Sequence, residues 1–170
     1  MAAHQAWRFG IVGCGRMGQL HSERLQADGR CLVVGVFDPD PGGAWGLLQD
    51  KAAGARVCSS FEDLLATEPL DAVVICTPTT AHFDQVQASL ARGVHVLCEK
   101  PLAESRNRIL DLIAAAGRSG LHCMLSYQRR FWWTYRTLRR EVRGGDWGPI
   151  RAVTSHNVEC WQQTIAGTWR

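Results

Sequence analysis

The sequence predicts an α/β fold: a doubly wound parallel sheet, followed by the beginning of an incomplete α+β domain. Three observations carry that prediction. Six short apolar runs, at 8–13, 32–38, 55–58, 71–77, 94–98 and 121–127, lack the polar alternation of half-exposed strands. Strands buried on both faces have this character. Segments of helical period separate the runs, the βαβ rhythm of a parallel sheet covered on both sides. After residue 127 the rhythm breaks and the composition changes, which sets expected domain bounds of 1–127 and 128–170.

Each element has its own signal in turn. The run 8–13 ends on glycine and leads into a helix over 17–29, with Met17, Leu20 and Leu25 toward one face and Gly29 as its stop. The run 32–38 is apolar until Asp38. A weaker helix over 41–54 is entered through Pro39 and Pro41, proline being suited to a first helical turn. A strand over 55–58 and a short helix over 61–67 follow, then a strand over 71–77 that Pro78 stops. The helix over 81–93 spaces Phe83, Val86 and Leu90 at i, i+3 and i+7. After the strand 94–98, a helix over 104–120 sets Ile109, Ile113 and Ala116 on one stripe, and 121–127 is the sixth strand. Beyond it, 132–144 reads as an arginine-rich helix ended by Gly144-Gly145. Partial alternation over 149–160 (Ile150, Ala152, Thr154, His156, Val158) predicts a strand of a different sheet.

Composition removes several classes of protein. Apolar residues make up 46% of the 170 residues and charged residues 21%, enough for a packed core and too apolar for a disordered chain. No apolar run approaches the roughly 18 residues of a membrane span. The start, 1–8, is too short and polar for a signal peptide. The seven cysteines are odd in number and form no C-x-x-C pair, which argues against a disulfide framework or a metal site and for reduced thiols in a cytoplasm. The net charge of +3 hides an asymmetry. Residues 1–120 hold 11 basic and 13 acidic side chains, whereas 121–170 hold 8 and 3. Five of the seven tryptophans lie at 132, 133, 147, 161 and 169, and so many rings in a short segment call for a partner surface. The arginines at 129, 130, 136, 139, 140 and 143 read as a helix face toward a partner domain, and no nucleic-acid motif accompanies them.

Four motifs carry chemistry. Gly13-Cys14-Gly15-Arg16-Met17-Gly18 joins the first strand to the first helix, with an acid, Asp38, ending the next strand. In that context the first glycine permits a tight turn. The second lets the backbone approach a pyrophosphate, and the third lets helix and strand pack closely. The helix N-terminus then offers free N–H groups to the phosphates. Asp38 is placed to accept both ribose hydroxyls of an adenosine and to repel a 2′-phosphate, favouring NAD over NADP; the other reading is a cap at the Asp38-Pro39-Asp40 turn. Cys14 sits where a helix N-terminus can lower a thiol pKa, but reads as structural filler. Thr77-Pro78-Thr79-Thr80-Ala81-His82 lies at the end of the fourth strand, where open α/β sheets bind ligands. Taken alone, Thr79 or Thr80 reads as a helix cap and His82 as a surface histidine. Glu99-Lys100-Pro101 puts an ammonium at the mouth of the sheet, where it can polarise or protonate an oxygen as hydride moves.

Together with His21 in the first helix and the Arg129-Arg130-Phe131 run, these motifs resemble in order and spacing the Gfo/Idh/MocA oxidoreductases, which have a Rossmann NAD-binding domain. The resemblance implies Lys100 as the catalytic lysine and Glu99 against the nicotinamide ribose. Thr77, Pro78 and His82 would line the cofactor site, and Arg130 would reach toward the nicotinamide. Trp169-Arg170 resembles a segment that lies near the cofactor in that family. Thr79 departs from the family's frequent Asn. The implied reaction is hydride transfer between NAD and a polyol, sugar or sugar derivative, inositol dehydrogenase-like, in a homo-oligomer when full length. An NAD-dependent glycosidase of the same family and a non-catalytic NAD-binding module are the alternatives. Members run to about twice this length, so the chain is expected to be the N-terminal part of such an enzyme, inactive alone.

Overall fold

The computed structural model describes residues 6–52 and 54–156. Two compact units divide the chain, 1–127 and 128–170. The first holds β1 (Trp7–Val12), α1 (Arg16–Ala27), β2 (Cys31–Phe37), α2 (Pro41–Lys51), β3 (Arg56–Val57), α3 (Phe61–Leu65), β4 (Ala72–Ile75), α4 (Thr79–Ala91), β5 (His95–Cys98), α5 (Arg106–Ser119) and β6 (Cys123–Leu125). The strands form one parallel six-stranded sheet in the order β3-β2-β1-β4-β5-β6. The chain winds outward from β1 to β3, then returns to β4 on the other side of β1. That reversal opens a crevice at the carboxyl ends of β1 and β4, the place where doubly wound sheets take ligands.

Side-chain alternation supplies two apolar layers. Ile11 and Val74 point into one with Val36, Ala44 and Leu47. Val12, Val73 and Ile75 point into the other with Leu64, Val86, Leu90 and Leu112. All four residues of β4 are buried, so the central strand carries no polar face at all. Each buried Val, Leu or Ile side chain contributes about 1.5–3 kcal/mol relative to exposure.

The helix faces depart from expectation at two places. Leu20 is exposed, and α1 buries Gly18 and Ser22 instead. A helix whose first turn must lie close to the sheet meets it through small residues. In α5 the buried residue is Leu112, with Ile109 and Ala116 half-buried, while Ile113 is 58% exposed. The 109/112/116 stripe follows the helical period as closely as 109/113/116, and packing against β5 and α4 chooses between them. Helix α4 starts at Thr79 with Pro78 as its N-cap, so neither Thr79 nor Thr80 caps it.

The second unit has a 3-10 turn at Gln128–Phe131 and α6 (Trp133–Gly144), which Gly145 ends in the left-handed conformation. Inside this unit the Arg129 guanidinium lies 5.4 Å from the Trp132 ring. The strand expected over 149–160 does not form over 149–156. Alternation makes a strand only where a neighbour takes its N–H and C=O groups, and no described strand pairs with this segment. Residues 157–160 lie outside the described residues.

Candidate functional site

Parallel strands bring their carboxyl ends to one edge, and with them the chemistry-bearing loops. Gly13 and Cys14 follow β1, Asp38 follows β2, Thr77 follows β4 and Glu99-Lys100 follows β5. The Gly13 N–H donates to the Phe37 carbonyl at 2.9 Å, which holds the β1 loop against β2. Gly13 has φ +84°, and a Cβ there would lie 2.6 Å from the Cys76 carbonyl carbon. A Cβ on Gly18 would lie 2.1 Å from the Gly13 carbonyl oxygen. Around Gly15 the situation is opposite: a Cβ would meet nothing within 4 Å.

Gly15 is the N-cap of α1, with no side chain capping it and no acid in the first turn. Arg16 opens the helix exposed, and Met17 is half-buried beside it. The first-turn N–H groups of α1 have no intrahelical acceptors, and the surface in front of Gly15 is open. The loop therefore fits a pyrophosphate: two glycines are needed for its shape, and the third faces free space.

Asp38 sits where the strand end puts it, with both carboxylate oxygens on backbone donors. Oδ2 accepts from the Cys14 N–H at 2.6 Å and Oδ1 from the Asp40 N–H at 2.8 Å. Asp38 thus ties the β2 end to the glycine loop, and the cap of α2 is Asp40, which accepts the Gly42 N–H at 3.0 Å. Beside Asp38 an open pocket of about 500 Å³ is lined by Phe37, Pro39, Pro41, Val57 and Ser59, apolar walls of a kind that fit a flat heterocycle. The Cys14 thiol is buried and is pushed up to about 12 by burial and the nearby Asp38 charge. The lowering that a helix N-terminus can produce is overridden, because the thiol points into the core rather than at the helix end.

At the β5 end, Glu99 is buried at 8% exposure. Its Oε1 lies 2.9 Å from His21 Nε2. Burial opposes the Glu99 charge, but hydrogen bonds from His21 and Ser126 outweigh it and hold the carboxyl below its ordinary range. The Lys100 N–H points to Glu99 Oε2 at 3.4 Å, and the Lys100 side chain is exposed. An ammonium thus stands free at the mouth, beside a buried carboxylate clamped from α1 and from the segment after β6.

His82 is the reverse of a surface histidine. It is 1% exposed, with Nδ1 2.7 Å from the Pro101 carbonyl and Nε2 2.8 Å from the Thr77 carbonyl. A neutral ring donates to one of these and an imidazolium to both. The early start of α4 puts His82 on the inner side of its first turn, where it braces the loops after β4 and β5 against each other. The Thr77 hydroxyl donates to Gln85 Oε1 at 2.5 Å, and Pro78 is exposed at the loop tip.

Three of these partners, Gln85, Ser126 and His21 as the clamp on Glu99, have no sequence signal beyond His21's place in the motif pattern, whereas the cap at Asp40 falls in the turn where the sequence offered one. Arg130 is exposed on the 3-10 turn of the second unit. Trp169 and Arg170 lie outside the described residues.

A family model described as an oxidoreductase family with an NAD-binding Rossmann fold, Gfo/Idh/MocA, matches residues 7–127. The chain belongs to this family. An inositol 2-dehydrogenase of Leifsonia xyli is 37% identical over 147 residues, covering 84% of this chain and 42% of that protein. The solved scyllo-inositol dehydrogenase of Lactobacillus casei, with bound NAD(H) and scyllo-inositol, superposes with a TM-score of 0.77 at 26% identity. It covers 85% of this chain and 43% of its own. The WlbA dehydrogenase of Chromobacterium violaceum, in complex with NADH and UDP-GlcNAcA, gives a TM-score of 0.79 at 30% identity, over 87% of this chain and 42% of its own. The chain thus spans half or less of the length of these relatives. In this Gfo/Idh/MocA chain the matched stretch contains every site residue after β1, β2, β4 and β5.

Proposed function

We propose that this chain is the cofactor-binding part of an NAD-dependent oxidoreductase that moves hydride between nicotinamide and a polyol, sugar or sugar derivative. The observation that carries the reading is the exposed Lys100 ammonium at the end of β5, on the same sheet edge as a glycine loop shaped for a pyrophosphate. Residues 13–18 would hold the diphosphate through N–H groups, and Asp38 the adenosine ribose. Glu99 would take the second ribose, with Thr77 and Pro78 toward the nicotinamide. His82 would support this set as a brace. When bound, NAD supplies the hydride acceptor. Lys100 would donate to the reacting oxygen and relay its proton.

Residues 1–127 would form the cofactor domain and 128–170 the start of a substrate domain. That domain would carry the remaining substrate contacts, so the 170-residue chain alone would bind NAD without turnover. Homo-oligomer formation by the full-length protein fits the exposed rings of Phe131, Trp132 and Trp133. A cytoplasmic setting fits the free cysteines. Among the described residues, no helix is long and apolar enough to cross a membrane. The test is titration of the chain with NAD by tryptophan fluorescence, then NADH formation by the full-length protein on a panel of inositols and nucleotide sugars. Saturable NAD binding with NADH accumulating on one of these substrates supports the reading; no NAD binding at any concentration removes it.

A further inference from the structure

We infer that Gln85 is a positioning residue for the cofactor, holding the Thr77 hydroxyl as a hydrogen-bond acceptor for the nicotinamide half of NAD. This deepens the NAD reading above and rests on it. Thr77 stands between the two parts of the carboxyl edge. On one side, a Cβ on Gly13 would come 2.7 Å from the Thr77 backbone nitrogen, so Thr77 lies directly against the glycine loop. On the other, His82 Nε2 lies 2.8 Å from the Thr77 carbonyl and Nδ1 2.7 Å from the Pro101 carbonyl, in the loop that carries Lys100. The Glu99 N–H donates to the Ile75 carbonyl at 2.9 Å, which keeps that loop beside the end of β4. A dinucleotide whose diphosphate rests on the glycine loop has to pass Thr77 before its nicotinamide half reaches Glu99 and Lys100.

A threonine hydroxyl has one proton to give and two lone pairs to offer. Free to rotate, it meets a ligand either as donor or as acceptor. Here the proton is already given, because Thr77 Oγ1 donates to Gln85 Oε1 at 2.5 Å. Gln85 reaches it from α4, and both residues are half-buried. His82, on the same helix, braces the Thr77 carbonyl, so α4 holds Thr77 at two points. The lone pairs left on Oγ1 suit a group that donates. The nicotinamide half carries two kinds, the ribose hydroxyls and the carboxamide N–H, and the diphosphate carries none.

Gln85 acts on the cofactor only through Thr77, and that gives its loss a signature a defect in α4 would lack. The effect falls on NAD and spares 5′-ADP, which ends before the second ribose. It also vanishes once the Thr77 hydroxyl is gone. Gln85→Leu and Gln85→Met remove the acceptor while keeping a good helix former. Gln85→Glu keeps an acceptor oxygen at the same reach, and Thr77→Val removes the hydroxyl at nearly constant shape.

The experiment titrates the 170-residue chain and these variants with NAD, 3-acetylpyridine adenine dinucleotide and 5′-ADP by calorimetry. Gln85→Leu, Gln85→Met and Thr77→Val are each expected to weaken NAD by about three- to tenfold, the scale of one net hydrogen bond. For 5′-ADP the change should stay within about twofold, as for a distant site. Gln85→Glu should keep the wild-type ratio of the two affinities. In the Thr77→Val background, Gln85→Leu should cost NAD nothing further, since the two act as one unit. The acetylpyridine analogue keeps the ribose and lacks the carboxamide N–H. A loss it shares with NAD assigns the donor to the ribose, and a loss for NAD alone assigns it to the carboxamide; both support the inference. Equal losses for NAD and 5′-ADP, an unchanged ratio in the apolar variants, or additive losses in the double variant overturn it while leaving the NAD reading in place. A wild type that binds neither NAD nor 5′-ADP overturns both.

Discussion

At the amino ends of the strands, Arg8 and Asp71 close on each other. Arg8 Nε and Nη2 donate to the two Asp71 oxygens at 2.8 and 2.6 Å, and the Arg8 N–H adds a third bond at 2.7 Å. Beside them His95 Nδ1 accepts the His122 N–H at 3.0 Å, and the two rings lie 5.1 Å apart. At the carboxyl ends, polar groups of the same types are arranged differently. Glu99 is clamped by His21 and Ser126, and Asp38 by two backbone donors, but Lys100 and the first turn of α1 face outward. Both ends are satisfied hydrogen-bond networks. The difference is that one network uses all its members internally, while the other spends some to hold the rest unpaired and pointed at solvent. A functional edge is recognisable here by what its network leaves over.

The largest expected effect falls on the glycine loop. Gly18→Ala would drive a methyl group to 2.1 Å from the Gly13 carbonyl oxygen, which forces α1 away from β1. NAD binding should be lost, and thermal unfolding should shift down, both measurable on the 170-residue chain. Normal NAD affinity in that variant would show that the close α1–β1 packing is unrelated to the site.

Next comes Lys100. In the full-length enzyme, Lys100→Ala should lower kcat by about 10²-fold or more, the range of general acid–base catalysis, with little change in NAD affinity. The split follows because an ammonium beside a reacting oxygen acts mainly on the transition state. A change in NAD binding with kcat preserved would move Lys100 from chemistry to structure.

The amino-end pair should behave in the opposite way. Asp71→Asn should lower Tm by a few degrees and leave NAD affinity untouched. Arg8 holds the Asp71 carboxyl below its ordinary value, through hydrogen bonds that outweigh burial. A lowered folded pKa means the stabilisation is present above the ordinary carboxylate pKa, and is lost as pH falls through the lower folded value. The difference in Tm between wild type and variant should therefore be full at neutral pH and close under acid conditions. A constant difference down to low pH would contradict the pairing.

Much of this contrast could be read in the sequence. The strands, their parallel order and the motifs at their ends follow from apolar runs, helical period and glycine spacing, all of which are local signals. The brackets around the site could not be read so. His82 reads as a surface residue because nothing in 77–82 announces that α4 begins at Thr79 and turns the ring inward. His21 and Glu99 are 78 residues apart, and Asp38 reaches Cys14 across 24. Such partnerships exist only once the sheet sets β2 beside β1 on one side and β5 beyond β4 on the other. The predicted strand at 149–160 failed for the converse reason, because alternation says nothing about whether a neighbouring strand is there to pair.

The smallest expected effect tests whether the functional edge ends where its open groups end. Cys14 lies inside the phosphate loop, between Gly13 and Gly15, yet it is 1% exposed, and its Sγ contacts the Phe37 carbonyl at 3.5 Å. Its pKa of about 12, raised by burial and by the Asp38 charge, leaves almost no thiolate at pH 8. The thiolate is the reactive form, so alkylation should be slow even though the residue sits in the motif. Cys98, buried at the β5 end, is pushed up to about 12 as well, by burial and by the charges of Cys123 and Glu99. Iodoacetamide at pH 8 should therefore leave both residues unmodified by mass spectrometry under native conditions, with NAD affinity unchanged. Denaturation should expose both to full labelling. Rapid native labelling of Cys14 with loss of NAD binding would mean that the loop opens toward solvent, and that the boundary between the packed core and the open edge lies deeper than β1.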